Sequence, residues 1–166
     1  MTDRPTRKEL RLKAYDYFDA GAYFVTGCTH VRGEPTLCSL EAVRGGLCAA
    51  PVSRLTAVGE LVDRAIRDIP RLYDGVDVDI YCVMPDHVRM IVTLAAGRDG
   101  ARPLPDIIGR FKSYTDHLWR EMGIPSGPKL WQRGYYEHVI RNEADLSETR
   151  QYIENNPRQY ILNTGG

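Results

Sequence analysis

Tyr81–Leu94, YCVMPDHVRMIVTL, decides how this chain folds. Apolar and β-branched residues stand on both sides of Met84-Pro85-Asp86. Val76, Val78, Ile80, Cys82 and Val83 precede it, and Val88, Met90, Ile91, Val92 and Leu94 follow it. The pattern predicts a strand, a tight connection and a second strand. Side chains alternate between the two faces of a strand, so Val88, Met90 and Val92 point one way and His87, Arg89 and Ile91 the other. Two polar side chains at that spacing in an apolar strand are costly to bury unless they find partners. The plain reading is a half-exposed strand with two solvated residues, since polar positions at period two are ordinary in antiparallel sheets.

The chain has 166 residues, which suggests one domain with a core of its own. At 43% hydrophobic and 27% charged residues, it has the composition of a soluble globular protein. No apolar run is long enough to span a bilayer, and the first residues, MTDRPTRKELRLKAYDYF, lack the apolar core of a signal peptide. A cytoplasmic location is expected, with no membrane partner. Cys28, Cys38, Cys48 and Cys82 contain no Cys-x-x-Cys pair and read as reduced thiols rather than a zinc site. The formal net charge of zero argues against coating nucleic acid by bulk electrostatics, though not against a local basic surface.

In chain order, residues 1–20 read as a basic arm ending in Tyr15, Tyr17 and Phe18, and 21–166 as a single domain. An arm of this kind can grip a backbone phosphate and stack a base; a loosely ordered terminus is the simpler reading. GAYFVTGC, residues 21–28, is a strand. Residues 29–51 carry little periodicity and read as a hairpin or an irregular connection, with His30 a solvated loop histidine. Residues 56–69 form an amphipathic helix that Pro70 is expected to end. Residues 106–122 form a second, with Asp106 as N-cap and Gly123 as its stop. Tyr114 is assigned to that helix's buried stripe, beside Phe111, Thr115, Leu118 and Trp119, rather than to a nucleophilic role. LWQRGYYEHVIR, 130–141, reads as a strand region: an aromatic strand with one solvated face, or a surface on which Arg133, Tyr136 and His138 meet nucleic acid. A last helix starts near Asp145, whose spacing to Glu148 is that of a capping box. Tyr152 and Asn156, four apart, share a face there, and Pro157 is expected to fray the helix at Asn156. The expected fold is α+β, an antiparallel sheet covered by helices on one face.

Several separate stretches then fall into one pattern: RLKAYDYFDAGAYFVTGCT, YCVMPDHVRMIV, FKSYT, LWQRGYYEHVIRNE and QYIENNP. In this order and spacing the chain resembles the REP-associated tyrosine transposases, a branch of the single-tyrosine HUH transposases. The resemblance covers nearly the whole chain, and WQRGYYEHVIRNE with YIENNP is its most specific part. It implies a ferredoxin-like α+β sandwich whose central antiparallel sheet is packed by helices. It also implies nicking and strand transfer of single-stranded DNA beside short hairpins, with Mg²⁺ or Mn²⁺. By position, Tyr152 would be the nucleophile, ending as a covalent 5′-phosphotyrosine with a free 3′-hydroxyl. His87, the residue two later and Asn156 would hold the metal. A phenol with a pKa of ~10 is a poor nucleophile at neutral pH unless it is deprotonated or the phosphate is polarised, which a divalent ion does. DNA contacts are expected from Arg89, Lys112, Arg133, Tyr136, His138 and Arg141. The oligomeric state is open between monomer and homodimer.

The chain departs from that pattern at one point. The family has His-hydrophobic-His where this sequence has His87-Val88-Arg89. A guanidinium stays protonated and offers no lone pair to a metal. Three outcomes are open: loss of metal-dependent cleavage, weak metal binding by His87 and Asn156 with Asp86 or His30, or a phosphate clamped by Arg89 itself. Two function classes follow: a nicking and strand-transferring enzyme, or a catalytically degenerate DNA-hairpin-binding protein. A small-molecule enzyme using His87 has little support, because no Gly-rich phosphate loop or triad pattern is present.

Overall fold

Pro85 and Asp86 close the central hairpin in a computed structural model that describes residues 20–42, 51–96, 102–123 and 127–164. The hairpin joins β4 (Val76–Met84) to β5 (His87–Leu94) with Met84 opposite His87. Short hairpin loops usually take turns with positive φ, but among the described residues only glycines have positive φ, and this turn has none. Outside contacts hold this turn instead. The Pro85 carbonyl accepts the Leu37 amide at 2.9 Å, and the Asp86 carbonyl accepts the Thr29 amide and hydroxyl, both at 2.9 Å. These bonds draw Asp86 into the protein, where it is 5% exposed.

β1 (Gly21–Cys28) pairs antiparallel with β5 on one side and with β6 (Tyr136–Ile140) on the other, giving a four-stranded sheet in the order β4-β5-β1-β6. β2 (Cys38–Glu41) and β3 (Val52–Leu55) form a separate two-stranded antiparallel ribbon; of the stretch 29–51, read as a hairpin or an irregular connection, it takes in only β2, and β3 begins just beyond it. The basic arm expected over residues 1–20 falls almost wholly outside the described residues.

Helices cover both faces of the sheet, not one as the sequence suggested. α1 (Ala57–Leu72) and α2 (Leu104–Glu121) pack on the face that carries Tyr23, Val25, Val88, Met90 and Val92. α3 (Glu143–Thr164) sends Ile153 and Leu146 onto the opposite face, against Phe24, Ile91 and Ile140. Each large apolar side chain buried in these two layers contributes roughly 1.5–3 kcal/mol. α3 is further tied to the edge strand β4 by Arg150, which donates to both carboxylate oxygens of Asp79 at 2.7 and 2.9 Å. The resulting α+β layering agrees with the sandwich expected from the resemblance.

Several boundaries differ from the sequence reading. Pro70 lies inside the last turn of α1, which runs on to Leu72; a proline there removes a single hydrogen bond near a helix end that packing already holds. α2 begins at Leu104 with Pro103 in the cap position, so Asp106 sits in the first turn rather than capping it. Gly123 does stop α2, at φ +67° with its amide on the Arg120 carbonyl. Tyr114 is 55% exposed rather than core. It lies roughly 90° around an ideal helix from the centre of the buried stripe Ile107, Ile108, Phe111, Thr115 and Trp119. The strand expected over 130–141 shrinks to Tyr136–Ile140; Trp131 instead bridges to Thr29 and donates its indole N–H to the Thr115 hydroxyl at 2.8 Å. α3 starts two residues before Asp145, capped by Asn142, whose side-chain oxygen accepts the Asp145 amide at 2.9 Å. It also continues through Pro157 to Thr164 instead of fraying at Asn156.

Candidate nucleic-acid interface

The sheet register sets out the floor of the site. Cys82 lies opposite Arg89, Arg89 opposite Thr26, and Thr26 opposite Tyr136, so these four form one row across the face that α3 covers. The next row holds Ile91, Phe24 and His138, and the row before it holds Met84, His87 and Cys28. The alternation read in β5 therefore places His87 and Arg89 on one face, as expected. α3 crosses above them. Ile153 and Thr149 anchor its buried side, which brings Asn156 into the interior at 8% exposure and leaves Tyr152 at the rim, half exposed.

His87, Arg89 and Asn156 form one hydrogen-bonded cluster. The Asp86 carboxylate lies 2.7 Å from His87 Nδ1, and Asn156 Nδ2 lies 3.4 Å from Nε2. A carboxylate on Nδ1 assigns the proton to that nitrogen and leaves the Nε2 lone pair facing the amide. Arg89 Nη1 donates to Asn156 Oδ1 at 2.5 Å, and the guanidinium carbon stands 4.5 Å from the centroid of the Tyr152 ring. Arg89 Nε is buried and has no hydrogen-bond partner. Asp86 is held by two further donors: the Gly33 amide at 2.8 Å and Arg32 Nε at 3.2 Å.

The charges follow from these contacts. Burial pushes the His87 imidazole below its usual range; Asp86 opposes that shift, and the Arg89 charge adds to it. Burial alone would raise the Asp86 carboxyl, but His87, the Gly33 amide and Arg32 outweigh it and hold the group low. The site thus presents a neutral imidazole, an ionised carboxylate turned inward, and two arginines.

Phe24, Thr26, Arg32, His87, Arg89, Tyr136 and Tyr152 line an open groove of about 480 Å³. Sequence reasoning brought His87, Arg89, Tyr136, Tyr152 and Asn156 to this place. It missed Phe24, Thr26 and Arg32. The first two were recoverable from the alternation in β1 once its register with β5 is known. Arg32 lies in a turn with no periodic signal.

Other expected contacts lie elsewhere. Lys112 is on α2, beyond the opposite face of the sheet, with Nζ on the carbonyls of Gln132 (2.6 Å) and Gly134. His138 shares the face of Phe24, but its Nε2 sits 3.2 Å from Asp145. Arg133 and Arg141 are exposed and do not line the groove.

The residues do not fit the divalent ion that the resemblance implies. Mg²⁺ and Mn²⁺ favour oxygen-rich octahedral donor sets. Here one position is a cation without a lone pair, and the oxygen of Asn156 is occupied by that cation. Asp86 turns its carboxylate to His87 Nδ1, Arg32 and Gly33, and His30 is exposed and outside the groove. No group of three or more His, Cys, Asp or Glu side chains among the described residues could hold a metal. Nor is any helix among them long and apolar enough to cross a membrane.

The chain is 28% identical over 169 residues to an uncharacterized protein of Haemophilus influenzae, a match spanning 91% of this chain and 88% of that one. It is 28% identical over 81 residues to a REP-associated tyrosine transposase of Escherichia coli, spanning 49% of this chain and 44% of the relative. Among solved structures, a REP-associated tyrosine transposase bound to a REP hairpin superposes with a TM-score of 0.63 at 21% identity, covering 90% of this chain and 74% of that one, which bears on the fold. The sequence pattern described as "Transposase IS200 like" matches residues 56–156, a segment that runs from the cap of α1 through β5 to the Tyr152–Asn156 turn of α3. With well over half its length inside that match, the chain belongs to the IS200-like transposase family.

Proposed function

We propose that the protein binds single-stranded DNA beside a hairpin and docks a backbone phosphate on Arg89, at the place where the resemblance implies a metal ion. The observation that carries this reading is the Arg89 guanidinium itself. It is fixed by Asn156 Oδ1, laid over the Tyr152 ring and open to the groove. A fixed planar guanidinium matches the geometry of phosphate oxygens and needs no cation between. Its positive charge also opposes entry of Mg²⁺ or Mn²⁺. Metal-dependent nicking is therefore absent in this reading, and recognition remains. The hairpin bound to the structural relative gives the class of DNA to try.

One observation favours a second reading. Tyr152 is 50% exposed at the rim of the same groove, where a phosphate on Arg89 would lie within its reach. In that case the phenolic oxygen attacks phosphorus, the bond to the 3′-oxygen breaks, and the phenol proton ends on that oxygen. The products are a 5′-phosphotyrosine and a free 3′-hydroxyl.

A hairpin oligonucleotide with single-stranded flanks, labelled at its 3′ end, separates the two. Binding is read by gel shift in EDTA and in Mn²⁺, and cleavage by a covalent adduct on a denaturing gel. We expect binding in both conditions, no adduct from the natural sequence, and an adduct from Arg89→His in Mn²⁺ that Tyr152→Phe removes. An adduct from the natural sequence, lost in Tyr152→Phe, would overturn the first reading in favour of the second. No binding in either condition would overturn both.

A further inference from the structure

Phe24, buried in the second row of the sheet, touches two tyrosines edge-on. Tyr136 stands on one side with ring centroids 6.3 Å apart and planes at 69°, Tyr152 on the other at 6.0 Å and 74°. Phe24 is 8% exposed, whereas Tyr136 and Tyr152 are 52% and 50% exposed. The floor is thus one buried ring, and two half-open rings rise from it. The Arg89 guanidinium already lies over the Tyr152 ring. Tyr136 packs against Phe24 in a T-shaped arrangement, is half exposed, and borders the groove.

We infer that this groove is a slot for one unpaired nucleotide, its base stacked on Tyr136 above Phe24 and its phosphate on Arg89. The inference rests on the reading that Arg89 takes a DNA phosphate, and adds to it the part of the DNA that enters. Three observations carry it. Aromatic rings and guanidinium groups lining one groove match the two halves of a nucleotide, a flat π-system and an anion. A volume of about 480 Å³ lies in the range of sites that take a single small ligand. Thr26, between Arg89 and Tyr136 in the same row, lines the same groove and brings to it a hydroxyl able to donate to or accept from a base edge. A base inside a duplex has both faces covered by its neighbours and cannot stack this way, so the slot selects single-stranded flank over hairpin stem.

The test walks an abasic site, one position at a time, through the single-stranded flanks of a hairpin oligonucleotide. Affinity is measured for the natural protein, Tyr136→Leu and Tyr136→Phe. We expect one flank position at which loss of the base weakens binding roughly tenfold, in line with the stacking of one base on an aromatic ring. Tyr136→Leu should bind the intact oligonucleotide more weakly by a similar factor and lose its sensitivity at that position. Tyr136→Phe should keep both. 2-Aminopurine at the same position should be quenched by the natural protein and not by Tyr136→Leu. Equal sensitivity at every position, or a position effect that survives Tyr136→Leu, overturns the slot while the phosphate reading stands. Absence of any DNA binding overturns both.

Discussion

At the scale of single residues, the site turns on what an imidazole and a guanidinium do when placed two apart on one strand face. His87 is almost enclosed, at 6% exposure, and its Nδ1 faces Asp86. Burial is the leading cause that holds its pKa down, and the Arg89 charge assists. We therefore expect NMR titration to place the His87 midpoint below the usual ~6.5, with Arg89→Gln moving it part of the way back up. Below ~6.5 the unfolded chain takes up a proton that the folded chain refuses, so His87 contributes stability above that pH, and the contribution falls as pH drops towards the folded midpoint. A His87 midpoint above 6.5 would mean that the Asp86 contact outweighs burial. The alternation of polar residues in β5 was legible in the sequence because strand periodicity is local. The setting of Arg89 was half legible: the missing lone pair is a property of the residue type, but the Asn156 amide that engages it comes from a helix 67 positions later. Arg32 was not legible, since only the tertiary fold carries that turn to Asp86.

At the scale of elements, the helices show where local rules yield to packing. Pro70 and Pro157 both read as helix ends, and both lie inside helices. Each removes one amide from the ladder, a local loss that burial of Ile69 or Ile153 offsets. The start of α1 is where the chain tolerates least. The Thr56 hydroxyl accepts the Gly59 amide at 3.0 Å and lies 2.8 Å from the Thr36 carbonyl, to which it donates. This draws the first turn of α1 against the chain leading into β2. A Cβ on Gly59 would stand 1.9 Å from the Leu37 carbonyl oxygen, so backbone would have to move. Gly59→Ala should therefore destabilise the protein by about 1–3 kcal/mol, against the small gain that alanine gives an open helix position. Thermal or urea unfolding would show it, and an unchanged or raised midpoint would contradict this packing. The glycine read as an ordinary helix residue in the sequence because its constraint comes from a carbonyl more than 20 positions earlier.

At the scale of the whole molecule, the sheet carries two different faces. One is a closed hydrophobic layer under α1 and α2. The other is apolar where Leu146 and Ile153 of α3 cover it and polar at its open end, where Thr26, His87 and Arg89 meet Tyr152. That division explains how a chain of zero net charge can offer a cationic groove: the charge is placed by the fold rather than by composition. It also explains why DNA contacts assigned by residue type scattered, with Lys112 ending beyond the other face of the sheet. The most direct test of the account is a calorimetric titration of Mn²⁺ into the metal-free protein and into Arg89→His. We expect no saturable binding to the natural sequence, and binding of one ion to Arg89→His that is lost when His87 is also replaced by Ala. Saturable binding of one Mn²⁺ to the natural sequence, abolished by His87→Ala or Asn156→Ala, would contradict a guanidinium standing in the place of the ion.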